Sequence, residues 1–455
     1  MQLPRVLIFG QPFNNRYGGG ITLTNLFTGW DRDRIAVAAT GHVMYHVTTD
    51  VCDTYYQLGI EEFKWHFPFN LVQRKFTSGV IGFEKNKEFP KGKTKSHVRQ
   101  TVVDKVFYPF LEWLGVFHGL ARIKMTTGLK KWLSEFQPDI IYLQVSTRDT
   151  ILFGVELIDY LKVPSVIHIM DDWPSTISKK GLLRKYWHKK IDGEFRRLLS
   201  KVDQCLSISE AMSAGYKKRY GKEFEAFHNP IDIQAWTTAT RKNYNLNTGH
   251  IKVLFSGRIG IGVSESLLDI GTVIEALSQQ GLKIKLHIQT TSSNSKVLNE
   301  MAGFKSLVIN PVAEYSQLPS IFSDADILVI ANDFDDESIN YLRYSMPTKA
   351  SEYMISGTPI IVYSHEATAV SKFFINNRCG HCVTERNLTK LGEAFTLLID
   401  HEEYRQEIGK NAVAIAAELF DAAIVRSRFQ DLLSQTSLKK QMFDSEECAY
   451  RSTWQ

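Results

Sequence analysis

Val6–Gly10 reads VLIFG, and a little further along the chain Gly18-Gly19-Gly20 leads into Ile21–Trp30, ITLTNLFTGW. The short apolar run closing on glycine predicts a buried strand. The three glycines predict a loop where backbone can pass close to a ligand without side-chain obstruction. The apolar spacing after them predicts a helix. Strand, glycine loop, helix is the opening of a doubly wound α/β fold, with the loop at the carboxyl end of the strand where such folds hold ligands.

The alternation continues outward from this start. Ile140–Val145, Ser165–Ile169 and Gln204–Ile208 are short apolar runs, with helical spacing over Ile151–Leu161 and Ser209–Tyr220. Such continuous runs suit parallel strands buried on both faces. A polar stretch, Thr237–His250, reads as a linker. The pattern then restarts at Ile251–Phe255, with a helix near Leu267–Gln279 and strands at Lys283–Gln289, Ser306–Ile309, Asp326–Ile330 and Pro359–Tyr363. Two α/β domains are predicted, 1–235 and 250–415, with residues 416–455 a helix packing back across the junction and then a loose tail after Ser437. Residues 64–135 fit the alternation poorly. They contain a basic stretch, Lys85–Arg99, and an aromatic one, Val106–Leu120 (VFYPFLEWLGVFHGL).

Composition narrows the class. The chain has 455 residues, 44% hydrophobic and 23% charged, which is enough apolar mass for two cores. A net charge of +5 suits anionic small molecules or an anionic membrane surface and is too small to argue for nucleic acid. Five cysteines, few and odd in number, favour a reducing compartment over a disulfide scaffold. The N-terminus reads as a strand rather than a signal peptide, and no run reaches the ~20 apolar residues of a spanning helix. The expected location is cytoplasmic, peripheral to the inner face of a membrane at most.

Several clusters carry chemistry. In Ser345–Met354 (SMPTKASEYM), Pro347 suits a first helical turn, and Ser345 and Thr348 are capping candidates. A helix starting here would present free N–H groups and its positive dipole end to a phosphate, with Lys349 adding charge. The bland alternative is a surface helix on which Lys349 and Glu352 pair in solvent. Arg258 follows the strand Val253–Phe255 beside a glycine turn, a place for a cation facing a diphosphate. The order of Gly257, Gly260 and Gly262 is not the dinucleotide fingerprint. Asp171 and Asp172 follow Ser165–Ile169, where paired carboxylates can orient a hydroxyl or take its proton, or else cap the next helix. His168 falls inside the strand and reads as structural. Asp333, Asp335, Asp336 and Glu337 form an acidic loop, either a contact for a ligand's sugar or a solvated turn. Cys379-Gly380-His381-Cys382 resembles a redox motif but leads into a strand rather than a helix, and no metal-binding cluster is seen. Lys179–Lys201 is strongly basic, either a solvated helix face or a contact for anionic headgroups.

Taken together, Tyr17–Gly20, Val163–Pro174 (VPSVIHIMDDWP), Ser207–Tyr220, His228–Asp232 (HNPID), Ser256–Ile259 (SGRI), Ser323–Ile330 (SDADILVI) and Pro347–Ile361 (PTKASEYMISGTPII) resemble, in order and spacing, the family 4 type of glycosyltransferase. The resemblance implies a GT-B fold, two Rossmann-like domains facing each other across a cleft. It implies transfer of a sugar, with retention, from a nucleotide-sugar donor to a glycan or lipid-linked acceptor, plausible settings being bacterial surface polysaccharide or glycolipid assembly. On this reading the donor meets Gly18, Gly19, Gly20, Arg258, Pro347, Thr348, Lys349 and Glu352, with Glu352 on the ribose hydroxyls and Arg258 on the diphosphate. Asp171, Asp172, Arg258 and Lys349 are the candidates for catalysis. No metal or other cofactor is expected, because helix N-termini and Arg258 can carry the leaving group's charge. The chain departs from the family where a lysine often follows Arg258, where Tyr344 replaces the first of two glutamates, and where Met170 replaces a histidine. A nucleotide-sugar epimerase of the same fold and a non-catalytic nucleotide-sugar-binding protein remain as alternatives.

Overall fold

The computed structural model describes residues 2–15, 18–44, 47–71, 73–82, 108–177, 181–292 and 296–452, without the side chains of Tyr108, Glu112 and residues 439–452. The basic stretch Lys85–Arg99 and Tyr17, Val106, Phe107, Lys179 and Lys180 lie outside the described residues. The chain divides into two compact units, residues 1–227 with 426–455, and residues 228–425.

The first unit contains β1 (Val6–Phe9), β2 (Ile35–Thr40), β3 (Thr54–Leu58), β4 (Phe63–Trp65), β5 (Gly79–Val80), β6 (Ala121–Ile123), β7 (Ile140–Leu143), β8 (Ser165–Ile169), β9 (Gln204–Ser207) and β10 (Glu225–Ala226). Its main sheet runs β10-β9-β8-β7-β1-β2-β3-β5. All neighbours are parallel except β3 and β5, and β4 pairs β6 separately. The second unit holds β11 (Ile251–Ser256), β12 (Ile284–Gln289), β13 (Leu307–Asn310), β14 (Ile327–Ala331), β15 (Ile360–Tyr363) and β16 (His381–Val383) in the order β13-β12-β11-β14-β15-β16, all parallel. In each sheet the order reverses beside the first strand: β1 lies between β2 and β7, and β11 lies between β12 and β14. The crevice outside the carboxyl ends at such a reversal is where open α/β sheets bind ligands.

The unbroken apolar runs follow from helices covering both sheet faces. In the second unit Val253 and Phe255 of β11, Val329 of β14 and Ile361 of β15 enter one core, while Leu254, Leu328 and Ile360 enter the core on the other face. Alternate residues therefore point to opposite layers, both dry.

Two stretches differ from expectation. Thr237–His250 is lashed to the second unit rather than free. The Arg241 backbone N–H donates to the Ser356 carbonyl at 2.8 Å, and Asn247 donates to Asp326 through its backbone at 3.1 Å and its side chain at 2.8 Å. The C-terminal backbone stays helical over Ala422–Ser452, past Ser437. The alternating pattern also passed over β2 and β3, because half of Ile35–Thr40 is alanine and β3 carries tyrosines and a glutamine.

Candidate active site

In the second unit, β11 ends at Ser256 and the chain turns through Gly257, Arg258, Gly260 and Gly262 into the helix Ser264–Gln279. The helix Thr348–Ser356 reaches the same strand end, and its residues Ala350–Ser356 are all buried. Two of its side chains, four residues apart and so on one face, fasten it there. The Tyr353 hydroxyl accepts from the Ser256 backbone N–H at 2.9 Å, and the Lys349 ammonium donates to the Ser256 carbonyl. The ammonium also lies 4.9 Å from the centre of the Phe255 ring. A side chain on Gly257 would begin 1.7 Å from Lys349 Nζ and would displace it, and the φ of +156° there strains any residue but glycine.

Glu352 sits one turn beyond Lys349 and is 7% exposed. Tyr315 lies beside its carboxylate, and buried Trp236 lies beside Tyr315 in turn. Burial draws the Lys349 pKa down to about 8, against the pull of the Glu352 charge. Burial lifts Glu352 to about 7, opposed by Lys349 and by the Tyr315 hydrogen bond. The solvent-exposed Lys349–Glu352 pair of the bland alternative is not what forms. Tyr315 and Trp236 were not legible as site residues, since nothing in the local sequence marks them as meeting Glu352.

Electrostatics separates the two helix starts at this edge. The Ser264 helix already has anions: Glu265 lies in its first turn, and buried Asp333 accepts from the Ser266 N–H at 2.7 Å. The Thr348 helix has no acidic residue in its first turn and no side-chain cap. Pro347 occupies its cap position, so neither Ser345 nor Thr348 caps as anticipated. An anion is therefore favoured at Thr348 and Lys349, where the free N–H groups, the helix dipole and the ammonium add. Arg258 is exposed on the adjoining turn. Of the acidic loop, Asp333 holds the Ser264 helix and Asp335 caps the helix Asp336–Leu342 through the N–H groups of Glu337 and Ser338.

In the first unit, Gly18–Gly20 form the opening turn of a helix, Gly18–Phe27, rather than a loop before it. Each glycine answers a different constraint. Gly18 has φ +55°, which favours glycine. A Cβ on Gly20 would fall 1.7 Å from Asn14 Nδ2. Gly19 borders the sheet edge itself, its would-be Cβ lying 3.0 Å from Met170 Sδ and 3.7 Å from Gln144 Oε1.

Asp171 and Asp172, read together from sequence, part company in the structure. Asp171 is exposed. Asp172 is 1% exposed and takes two bonds from Arg219, at 2.7 and 3.1 Å, and one from the Tyr216 hydroxyl at 2.8 Å. With both oxygens engaged by a cation it is poorly placed to take a proton from an acceptor. Nor does its side chain cap the helix Trp173–Thr176. His168 lies inside β8, bonded to the Tyr142 hydroxyl, and burial holds its pKa down to about 3, so it is a neutral core residue. Cys379 and Cys382 are free thiols lifted to about 12 by burial, the opposite of redox activation. Among the described residues no group of three or more His, Cys, Asp or Glu is placed to hold a metal ion.

The sequence matches no protein-family model and no curated protein. Solved structures do resemble the chain. HepE of Anabaena, crystallised in complex with UDP and glucose, superposes with a TM-score of 0.58 at 13% identity, covering 95% of this chain and 100% of its own. Sucrose-phosphate synthase from Thermosynechococcus elongatus gives 0.57 at 12% identity, covering 97% and 99%. WaaG, a glycosyltransferase involved in lipopolysaccharide biosynthesis, gives 0.53 at 11% identity, covering 94% and 99%. At 11–13% identity these likenesses speak to the fold. The fold is GT-B. In GT-B terms the units described above are its two Rossmann-like domains, and the helix Thr348–Ser356 stands at the β11–β14 reversal of the second.

Proposed function

We propose that this GT-B protein is a glycosyltransferase of the family 4 type, moving a sugar from a nucleotide-sugar to an acceptor hydroxyl. The observation that carries the reading is the placing of Lys349 and buried Glu352 one turn apart on a helix whose start is uncapped, at the carboxyl edge of the second sheet. Free N–H groups and Lys349 suit the donor diphosphate, and Arg258 extends the positive edge. Glu352, one helical turn away, suits the ribose hydroxyls. As the glycosidic bond breaks, the diphosphate gains charge. Fixed dipoles and cations stabilise that charge most in the transition state, so this edge would promote transfer without a metal ion.

The acceptor, a glycan or lipid-linked sugar, is assigned to the first domain. Asp171 is the carboxylate there that remains exposed. Retention of configuration belongs to the same proposal on the family 4 motifs, and so does a place in surface polysaccharide or glycolipid assembly, which the likeness to WaaG, a glycosyltransferase involved in lipopolysaccharide biosynthesis, also supports. UDP-sugars are the donors to try first, since HepE was crystallised with UDP. A thermal-shift screen of nucleotide-sugars tests the reading. A rise in melting temperature with one of them supports it, and no shift with any would count against the donor assignment.

A further inference from the structure

The helices Tyr108–Leu114 and Phe117–Leu120 meet the start of the helix Arg184–Lys201 in the first domain. The Leu182 N–H donates to the Trp113 carbonyl at 2.9 Å. Gly115, at φ +73°, turns the chain between the two short helices and leaves room for Leu183 and Trp187. Leu111, Leu120 and Trp187 point inward and are buried. Arg148 lies over the Trp187 ring at 5.2 Å and donates to the His118 carbonyl at 3.3 Å, fixing the arrangement from beneath.

What is left outside is apolar. Phe110, Trp113, Phe117, Leu182, Leu183 and Tyr186 are 52%, 53%, 42%, 67%, 44% and 52% exposed. Scattered surface apolar residues are ordinary, but a cluster from adjoining segments marks an interaction surface. Cations accompany it. Arg184, Lys185 and Lys189 are exposed, and Lys190 donates to the Tyr186 hydroxyl at 3.0 Å. Gly181–Lys190 contains no acidic residue.

We propose that this surface docks the protein on an anionic lipid bilayer, with the aromatic and leucine side chains entering the headgroup boundary and the surrounding lysines and arginine facing lipid phosphates. Such binding adds buried apolar area to attraction for anionic lipid. A second copy of the chain fits the face poorly, because a two-fold contact would bring the same cations together. No described helix is long and apolar enough to cross a membrane, so the contact is one of lying on the surface. This inference does not depend on the donor site.

Vesicle flotation with the full chain tests it, using phosphatidylcholine vesicles with and without phosphatidylglycerol. The wild type floats with the anionic vesicles at low salt and is released at high salt. The pair Trp113→Ser with Leu182→Ser loses flotation. The pair Lys185→Gln with Lys189→Gln weakens binding to anionic vesicles on the order of twentyfold. Thermal melts confirm that both variants fold. The proposal is overturned if the wild type stays unbound at low salt, if folded variants float like the wild type, or if light scattering shows a wild-type dimer that Trp113→Ser dissociates.

Discussion

The ammonium of Lys349 occupies the space that a side chain on Gly257 would need, 1.7 Å from where its Cβ would stand. The glycine after β11 is thus matched to one particular lysine on another helix. Gly257→Ala should push that ammonium off the Ser256 carbonyl and lower donor affinity by tenfold or more, about 1.4 kcal/mol or above. In a Lys349→Ala background the same change should cost less, the remainder being backbone strain at φ +156°. A double-mutant cycle on donor binding measures the coupling, and additive effects would mean that the two residues act independently.

Lys349 and Glu352 also set a pH window. Burial lowers Lys349 to about 8, so its charge disappears as pH rises through that value. Burial raises Glu352 to about 7, so its carboxylate disappears as pH falls through that value. Donor capture that needs both charges peaks between these values and falls on either side, as a coupled pair. Lys349→Met should remove the alkaline limb of kcat/KM and Glu352→Gln the acid limb. Profiles unchanged in both variants would show that neither group titrates in donor capture.

The two aspartates after β8 should separate by phenotype. Asp172→Ala leaves Arg219 facing a void in a half-closed site, and a loss of about 2 kcal/mol or more in unfolding free energy is expected. Asp171→Ala should destabilise much less and instead lower turnover. Denaturant melts alongside steady-state kinetics decide this, and the reverse pattern would return Asp172 to the chemistry.

Arg258 lies exposed on the turn after Gly257. Its contribution should grow as charge develops on the leaving diphosphate, so Arg258→Ala should lower kcat more than it weakens donor binding. Calorimetry beside turnover numbers measures the split. An equal loss in both would make it a simple binding cation.

Much of this was legible in the chain because burial on both sheet faces writes continuous apolar runs. β8 lies at Ser165–Ile169 as read, and β11 extends the reading Ile251–Phe255 by one residue. The short strands β4, β5 and β6 carry too few residues to show a period. The glycines were visible, but not that Gly20 yields to Asn14 while Gly257 yields to Lys349, since each constraint comes from a residue the local pattern cannot see. Asp172 looked like a cleft carboxylate for the same reason: its partner Arg219 lies 47 residues on. Tyr315 approaches Glu352 from a short 3-10 turn, Tyr315–Gln317, whose own sequence carries no sign of that meeting.

The most direct measurement is calorimetric titration of nucleotide-sugars, UDP-sugars first, into the wild type, Lys349→Ala and Glu352→Ala. The account predicts saturable binding of one donor to the wild type. It predicts a loss of about 1.5–3 kcal/mol in Glu352→Ala, from a charge-assisted bond to the ribose, and a comparable weakening in Lys349→Ala, with both variants folded. Donor binding that is tight in the wild type and unchanged in both variants would contradict it, and would move the nucleotide away from the helix Thr348–Ser356.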